Sequence, residues 1–274
     1  MENAPVMTES IAATVLGLVE GATEFLPVSS TGHLILVGHL LGFTGEKADS
    51  FDVIIQLGAI LAVVVLYWKR FWWLVSPKAL HAFSGLRGIW LLFLTSLPAG
   101  LVGFAARKTI KAHLFGPVTV ALALAIGALM IFWVESRSKR DRFYTLDEMT
   151  PALAFGIGCF QCLALWPGFS RSAATIMGGM LLGAKRSLAA EYSFIAAVPL
   201  MFAATLYDFY KSAALFSADD MGILGVGFVV SFLSALVAVK TFIVLVKRVS
   251  LRPFAWYRLA LAAAVFLFWP KGQL

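Results

Sequence analysis

Two carboxylates, four hydroxyls and an imidazole fall within one short stretch, Glu20-Gly-Ala-Thr-Glu24-Phe-Leu-Pro-Val-Ser29-Ser30-Thr31-Gly-His33. Glu20 and Glu24 are four apart, so a helix puts them on one face. Pro27 breaks that helix, and Ser29, Ser30 and Thr31 are good starts for the next one. A second polar stretch, Pro167-Gly168-Phe169-Ser170-Arg171-Ser172-Ala-Ala-Thr175, combines a fixed cation, two serines, a threonine and a glycine that admits close backbone approach. A guanidinium holds phosphate oxygens through paired N–H donors. A helix that begins at either stretch offers free N–H groups and the positive end of its dipole, which is an anion site. Two such termini facing each other suit an anion with more than one phosphate. Glu20 and Glu24 would repel that anion, and a divalent cation between them resolves the conflict. Mg²⁺ typically binds through one or two carboxylates plus substrate phosphates.

The elements around these stretches belong to a membrane. Hydrophobic residues make up 60% of 274 and charged residues 14%, against a soluble norm near a quarter charged. Six apolar runs approach the ~20 residues that a ~30 Å hydrocarbon core requires: Val53–Trp68, Ile89–Ala106, Val118–Val134, Tyr192–Tyr207, Met221–Val239 and Phe254–Trp269. No polar segment is long enough for a separate soluble domain, so residues 1–274 read as one membrane domain. The net charge of +7 reads as loop charge that orients the protein, not as a nucleic-acid surface. The first 46 residues hold no Lys or Arg, so no secretory signal peptide is expected. The pair Cys159 and Cys162 lies in an apolar run and reads as small core residues rather than a redox motif.

The chain also repeats itself. Shifted by 141 residues, Gly17 falls on Gly158, Glu20 on Gln161, Ser29 on Ser170, Thr31 on Ser172 and Gly38 on Gly179. The repeats run roughly over 8–134 and 149–270. Each contains an interrupted hairpin followed by three spans. The returning arms, Leu34–Phe43 and Thr175–Gly183, are too short to cross, so both hairpins are expected to be re-entrant. Three crossings per half invert the second half relative to the first. The expected fold is therefore all-α: six transmembrane helices plus two re-entrant helix-loop-helix hairpins in an inverted-topology repeat, with a polar site between the halves. Thirteen Lys and Arg fall on one side of this layout and six on the other. The richer side is cytoplasmic by the positive-inside rule, which places both termini and the first hairpin's opening outside.

The two polar stretches, together with the pattern of spans from Ile11 to Phe268, resemble those of the undecaprenyl-diphosphate phosphatases, also called the bacitracin-resistance protein family. The resemblance implies an enzyme of the bacterial cytoplasmic (inner) membrane whose site faces the periplasm. It implies removal of the terminal phosphate of undecaprenyl diphosphate, recycling of the carrier for peptidoglycan synthesis, and support by Mg²⁺ or Ca²⁺. The family's functional positions correspond to Glu20, Glu24, Ser30, His33, Arg171 and Thr175. On this reading Glu20 and Glu24 hold the metal, and Arg171 and both helix termini hold the diphosphate. Ser29, Thr31, Gly168, Ser170, Ser172 and Thr175 complete the binding surface. Ser30 attacks phosphorus or positions the attacking water, with His33 as base and later acid. The partners are the lipid diphosphate and the bilayer, with a homodimer left open.

Bland alternatives stand beside these roles. Ser29 and Ser172 suit helix caps, and His33 suits a core hydrogen bond. Asp52 and Gln56 either line the site or satisfy backbone. Arg258 reads as an anchor at the cytoplasmic side, and Trp256 as part of an interface belt. Inverted repeats with broken helices also describe transporters, so a lipid-phosphate or phosphate transporter is the rival function. The cluster Glu20, Glu24, Ser30 and His33 separates the two, because transport needs no nucleophile and base.

Overall fold

The computed structural model describes residues 6–76, 81–114, 116–137, 141–212, 215–217 and 220–268. Eleven α-helices order these residues. The first hairpin is α1 (Val6–Thr23) and α2 (Ser30–Leu40), followed by α3 (Glu46–Leu66), α4 (Trp68–Val75), α5 (Gly85–His113) and α6 (Pro117–Ser136). The second hairpin is α7 (Pro151–Gln161) and α8 (Arg171–Leu181), followed by α9 (Arg186–Ser212), α10 (Met221–Val246) and α11 (Arg252–Phe268). Among the described residues, five helices are long and apolar enough to cross a membrane: α3, α5, α6, α9 and α10. The helix α11 is described over 17 residues, and the expected end of its span, Trp269, lies outside the described residues. Side chains such as Leu86, Leu101, Phe104, Leu129, Val237 and Phe266 are exposed. Apolar side chains around a bundle of such helices face lipid, and the chain is a multi-pass membrane protein.

The returning arms α2 and α8 each have 11 residues. At 1.5 Å per residue that is about 16 Å, roughly half a hydrocarbon core. Both hairpins are held by the middle helix of the opposite half. α1 packs on α10, and α7 packs on α5. The contact of α3 with α10 has its counterpart in α9 with α5, and α6 packs on α11. Small residues permit the close approaches. A Cβ at Gly17 would sit 2.5 Å from the Gly227 carbonyl oxygen, and one at Gly21 2.2 Å from that of Ser231. At the equivalent position of the second half, a Cβ at Gly158 would lie 2.6 Å from the Thr95 carbonyl oxygen. Pro98 lies inside α5 and has no N–H for the turn before it. There the Gln161 amide donates to the Thr95 carbonyl at 3.1 Å, which anchors the end of α7.

The 141-residue offset recurs in backbone geometry. Ser29 and Ser170 are the non-glycine residues with positive φ among those described, at 71° and 76°. Gly42 and Gly183, also 141 apart, close α2 and α8 with φ of 67° and 99°. Phe43 N–H donates to Gly38 C=O, and Ala184 N–H to Gly179 C=O, at 2.8 and 2.9 Å.

Two details depart from the sequence reading. The first long run does not continue through Trp68, because the helix ends at Tyr67 and α4 begins as a separate short helix. Trp68, Trp72 and Val75 of α4 are exposed while Leu74 is buried, as in a helix lying along an interface. Cys159 is exposed on α7 rather than in the core, and both cysteines are free thiols. On the face opposite α4, Lys47 reaches Asp220 at 2.5 Å and ties the starts of α3 and α10. The Lys47 ammonium and the Ser217 donors hold the Asp220 carboxyl below its ordinary value. A depressed carboxyl favours the folded state above its unfolded pKa and loses that contribution as pH falls through the folded one, so this tie holds at neutral pH.

Candidate active site

The two tips meet between the halves and enclose a cavity of about 180 Å³. Its lining includes Glu24, Ser29, Ser30, Thr31 and Gln56 from the first half and Trp166, Gly168, Ser170 and Arg171 from the second. Ser30 and Arg171 are the first residues of α2 and α8. They also stand 141 residues apart, like Ser29 and Ser170, so one tip delivers a hydroxyl where the other delivers a cation. Ser29 and Ser170 cap these helices, accepting from Gly32 N–H at 3.4 Å and Ala173 N–H at 3.3 Å. The first N–H groups of each helix have no partner within it, and the residues that begin both helices, Ser30 and Arg171, line the cavity. The positive φ of both serines is a strained backbone that bends each chain into its helix.

Glu24 joins the tips. One carboxylate oxygen accepts from Ser30 Oγ at 2.5 Å, and the other from Arg171 Nη2 at 3.2 Å. Arg171 is fixed from behind. Its Nη1 donates to the Ser193 carbonyl at 3.0 Å and to Ser193 Oγ at 3.2 Å, and its guanidinium lies over the Phe25 ring at 5.2 Å. Thr175 stands behind the cation rather than in the cavity, 2.6 Å from Ser193 Oγ and 2.9 Å from the Arg171 carbonyl. Ser172 donates to the Leu26 carbonyl at 2.7 Å and so stitches the second tip to the first. Its Oγ is also 3.0 Å from that of Ser170. Ser172 is thus a tie between the tips, while Ser29 and Ser170 cap and line the cavity at once.

His33 is not on Ser30. Its Nδ1 lies 2.7 Å from the Ser29 carbonyl and its Nε2 2.7 Å from the Tyr257 hydroxyl. The ring folds back onto the carbonyl four residues earlier, as the first turn of a helix allows. Nδ1 faces an acceptor and therefore carries the proton, which leaves Nε2 to accept from Tyr257. The group that touches the Ser30 hydroxyl is Glu24.

Two buried donors at the cavity have no hydrogen-bond partner among the described residues, Arg171 Nε and Trp166 Nε1. Unsatisfied buried N–H groups are costly, and both belong to residues that line the cavity. The carboxylate of Glu20 has the opposite need. Glu20 is 0% exposed, and neither oxygen has a partner among the described residues. A cation would satisfy it. No group of three or more His, Cys, Asp or Glu forms a metal cluster among the described residues. Glu24 lines the cavity and Glu20 lies outside its lining; two carboxylates are the number that suits Mg²⁺ when phosphates complete its coordination. Gln56 lines the cavity, whereas Asp52 is not in the lining and its Oδ1 is buried without a partner among the described residues.

Arg258 is the largest correction to the sequence reading. It is not an anchor at a membrane surface but is 0% exposed. Its guanidinium donates to Pro27 C=O of the first tip at 3.3 Å and to Gly168 C=O of the second at 3.2 Å. It also donates to Leu124 and Ala123 C=O of α6 at 3.2 and 3.1 Å. One side chain thus binds the backbone of both tips. Gly168, with φ of 92°, approaches Val120 so closely that a Cβ would sit 2.7 Å from its carbonyl oxygen.

Comparison with known proteins gives concordant results. The family described as bacitracin resistance protein BacA matches residues 13–264. A protein of Solidesulfovibrio magneticus named undecaprenyl-diphosphatase is 84% identical over 97% of this chain and 100% of its own length. Proteins of the same name from Nitratidesulfovibrio vulgaris and Lawsonia intracellularis are 70% and 58% identical. They cover 96% and 92% of this chain and 99% and 96% of their own lengths.

Proposed function

Because the chain belongs to the bacitracin resistance protein family, we propose that the space between its two tips hydrolyses undecaprenyl diphosphate to undecaprenyl phosphate and inorganic phosphate. The observation that carries this reading is the Ser30 hydroxyl donating to Glu24 at 2.5 Å, with Arg171 on the same carboxylate. A hydroxyl held by a carboxylate beside a fixed cation is a nucleophile and base next to a phosphate site. Transport would need the cation but not the pair. The monophosphate product returns to peptidoglycan synthesis, and loss of the diphosphate removes the target of bacitracin.

Arg171, Trp166 Nε1 and the first N–H groups of α2 and α8 bind the diphosphate and stabilise charge as the P–O bond breaks. Ser30 Oγ attacks the terminal phosphorus while Glu24 takes its proton. The bond to the bridging oxygen breaks, and undecaprenyl phosphate leaves after its freed oxygen accepts that proton from Glu24, which restores the carboxylate. Water then releases phosphate from Ser30, with Glu24 again as base. His33 and Tyr257 hold the start of α2 from outside the cavity, through the Ser29 carbonyl. Glu20 and Glu24 would hold Mg²⁺ or Ca²⁺, which when bound supplies positive charge to the phosphate oxygens. The isoprenoid tail remains in lipid.

Phosphate release from undecaprenyl diphosphate in detergent tests this reading. Release is expected to stop in excess chelator and return with Mg²⁺ or Ca²⁺. Arg171→Ala should weaken turnover about ten- to hundred-fold, the equivalent of one charged hydrogen bond of ~1.5–3 kcal/mol, and Arg171→Lys should restore little of it. Full activity in chelator would remove the metal, and a silent Arg171→Ala would remove the second tip from the site.

The same reading includes six spans arranged as two inverted repeats, in the bacterial inner membrane, with the cavity open to the periplasm. The swapped contacts of α1 with α10 and α7 with α5, the paired strained serines and the Lys/Arg bias support it. In a chain whose own cysteines are replaced, single cysteines at Glu46 and Arg107 should react with an impermeant thiol reagent added outside. Cysteines at Tyr144 and Arg252 should react only after permeabilisation. Labelling of Glu46 and Tyr144 from the same side would break the layout.

A further inference from the structure

A second cavity, of about 230 Å³, lies at the face where the α7–α8 hairpin opens. It is larger than the 180 Å³ between the tips. The ends of α6, α8 and α10 and the start of α9 enclose it, and its charged lining is Glu135, Arg137, Asp141, Lys185, Arg186 and Lys247. These groups do not cancel. Glu135 is committed to structure: it accepts from Arg186 Nη2 at 2.8 Å and from Leu251 N–H at 2.9 Å. Arg186 is fixed further by donating to the Val249 carbonyl at 3.0 Å. With that pair neutral, Arg137, Lys185 and Lys247 share the lining with one carboxylate, Asp141, while Glu191, outside the lining, interacts with Lys247.

Cations at the C-terminal ends of helices are ordinary, because they complement the helix dipole. That accounts for Arg137 and Lys247 individually. It does not account for the space they share, which Arg137, Lys185, Arg186 and Lys247 all line. An excess of cations around one space calls for an anion inside it. The surroundings say what kind. Arg137 lies over Trp133 at 4.4 Å and Lys185 over Tyr144 at 5.8 Å. Trp133, near the end of α6, and Tyr144, in the segment between α6 and α7, are both exposed, and exposed aromatics at and just beyond span ends fit the level of lipid headgroups. Basic pockets between transmembrane helices at that level bind anionic headgroups.

We propose that this cavity binds the phosphate of an anionic phospholipid, at a site separate from the one between the tips. The test uses the full chain in nanodiscs of phosphatidylcholine with or without phosphatidylglycerol, with retained lipid read by native mass spectrometry. The variant is Lys185→Gln with Lys247→Gln, which leaves the Arg186–Glu135 pair and the other site intact. Wild type should retain phosphatidylglycerol over phosphatidylcholine. The variant should lose about 30-fold of that preference, since each basic residue near a membrane surface contributes roughly fivefold. Its phosphate release from the lipid diphosphate should be unchanged. Should the double variant lose its melting transition, Lys247→Met alone serves, with a loss of about fivefold expected. Equal retention by wild type and variant overturns the proposal. So does calorimetry in which inorganic phosphate binds the delipidated protein, the variant abolishes that binding, and phosphatidylglycerol does not compete. The cavity would then take free phosphate.

Discussion

Glu24→Gln is expected to lower kcat by about 10²–10⁴, the range for removing a positioned general base, while the protein stays folded. The amide keeps the shape of the carboxylate but cannot take the Ser30 proton. It also cannot accept from both neighbours as the carboxylate does from Ser30 at 2.5 Å and Arg171 at 3.2 Å. One of its two ends is an NH₂ group, and against Arg171 that places donor against donor. Ser30→Ala should fall as far, and the double variant should be little worse than the poorer single one, because the two groups act as a unit. His33→Gln should cost much less, since both its ring nitrogens are engaged, one with the Ser29 carbonyl and one with Tyr257. Steady-state kcat on the lipid diphosphate for these four variants orders the roles. If His33→Gln is dead while Ser30→Ala retains near-normal kcat, serine is not the nucleophile and Glu24 is not its base.

The polar stretches were legible in the sequence because hydroxyls, carboxylates and a guanidinium are conspicuous in a chain this apolar. Span lengths exposed the short arms α2 and α8, and the glycine and serine matches exposed the 141-residue offset that Ser29 and Ser170 repeat in their φ angles. The partner of each group was not legible. Ser30 and His33 are three apart and seemed a pair by spacing, yet the hydroxyl turns to Glu24, six residues back and across the break at Pro27. Ser193 and Tyr257 reach the site from α9 and α11, and no local pattern distinguishes them from other polar residues of a span. Arg258 was misplaced for a related reason. Its position near a span end suggested water, but its partners are backbone carbonyls up to 231 residues away, and a carbonyl leaves no mark in a sequence. The break at Tyr67 that separates α4 from α3 has no proline or glycine to announce it.

Arg258→Met should preserve volume yet separate the tips, and its cost should appear in turnover as well as in stability. The guanidinium donates to the Pro27 and Gly168 carbonyls from a fully buried position. Without it those two tip carbonyls lose a donor, at about 1–3 kcal/mol each. The α6 carbonyls of Ala123 and Leu124 suffer less, because they lie inside a helix and have their own turn. The weakened contact is therefore the one between tips. Ser30 and Arg171 belong to different tips, so looseness there alters the distance between nucleophile and phosphate cation. A displacement near 1 Å is enough to lose about 10² in rate. Arg258→Lys should recover little, since a compact ammonium cannot span carbonyls of both tips and α6 as the fork does. Gly127→Ala offers an independent approach, because the added Cβ would stand 2.1 Å from Arg258 Nη2 and push the guanidinium from its partners. All three variants should melt earlier and show a lower kcat per folded molecule, counted from the monodisperse fraction after size exclusion. A purely structural role predicts the first effect without the second. Wild-type kcat in the folded fraction of Arg258→Met would mean that Ser172, through its bond to the Leu26 carbonyl at 2.7 Å, holds the tips in register without it.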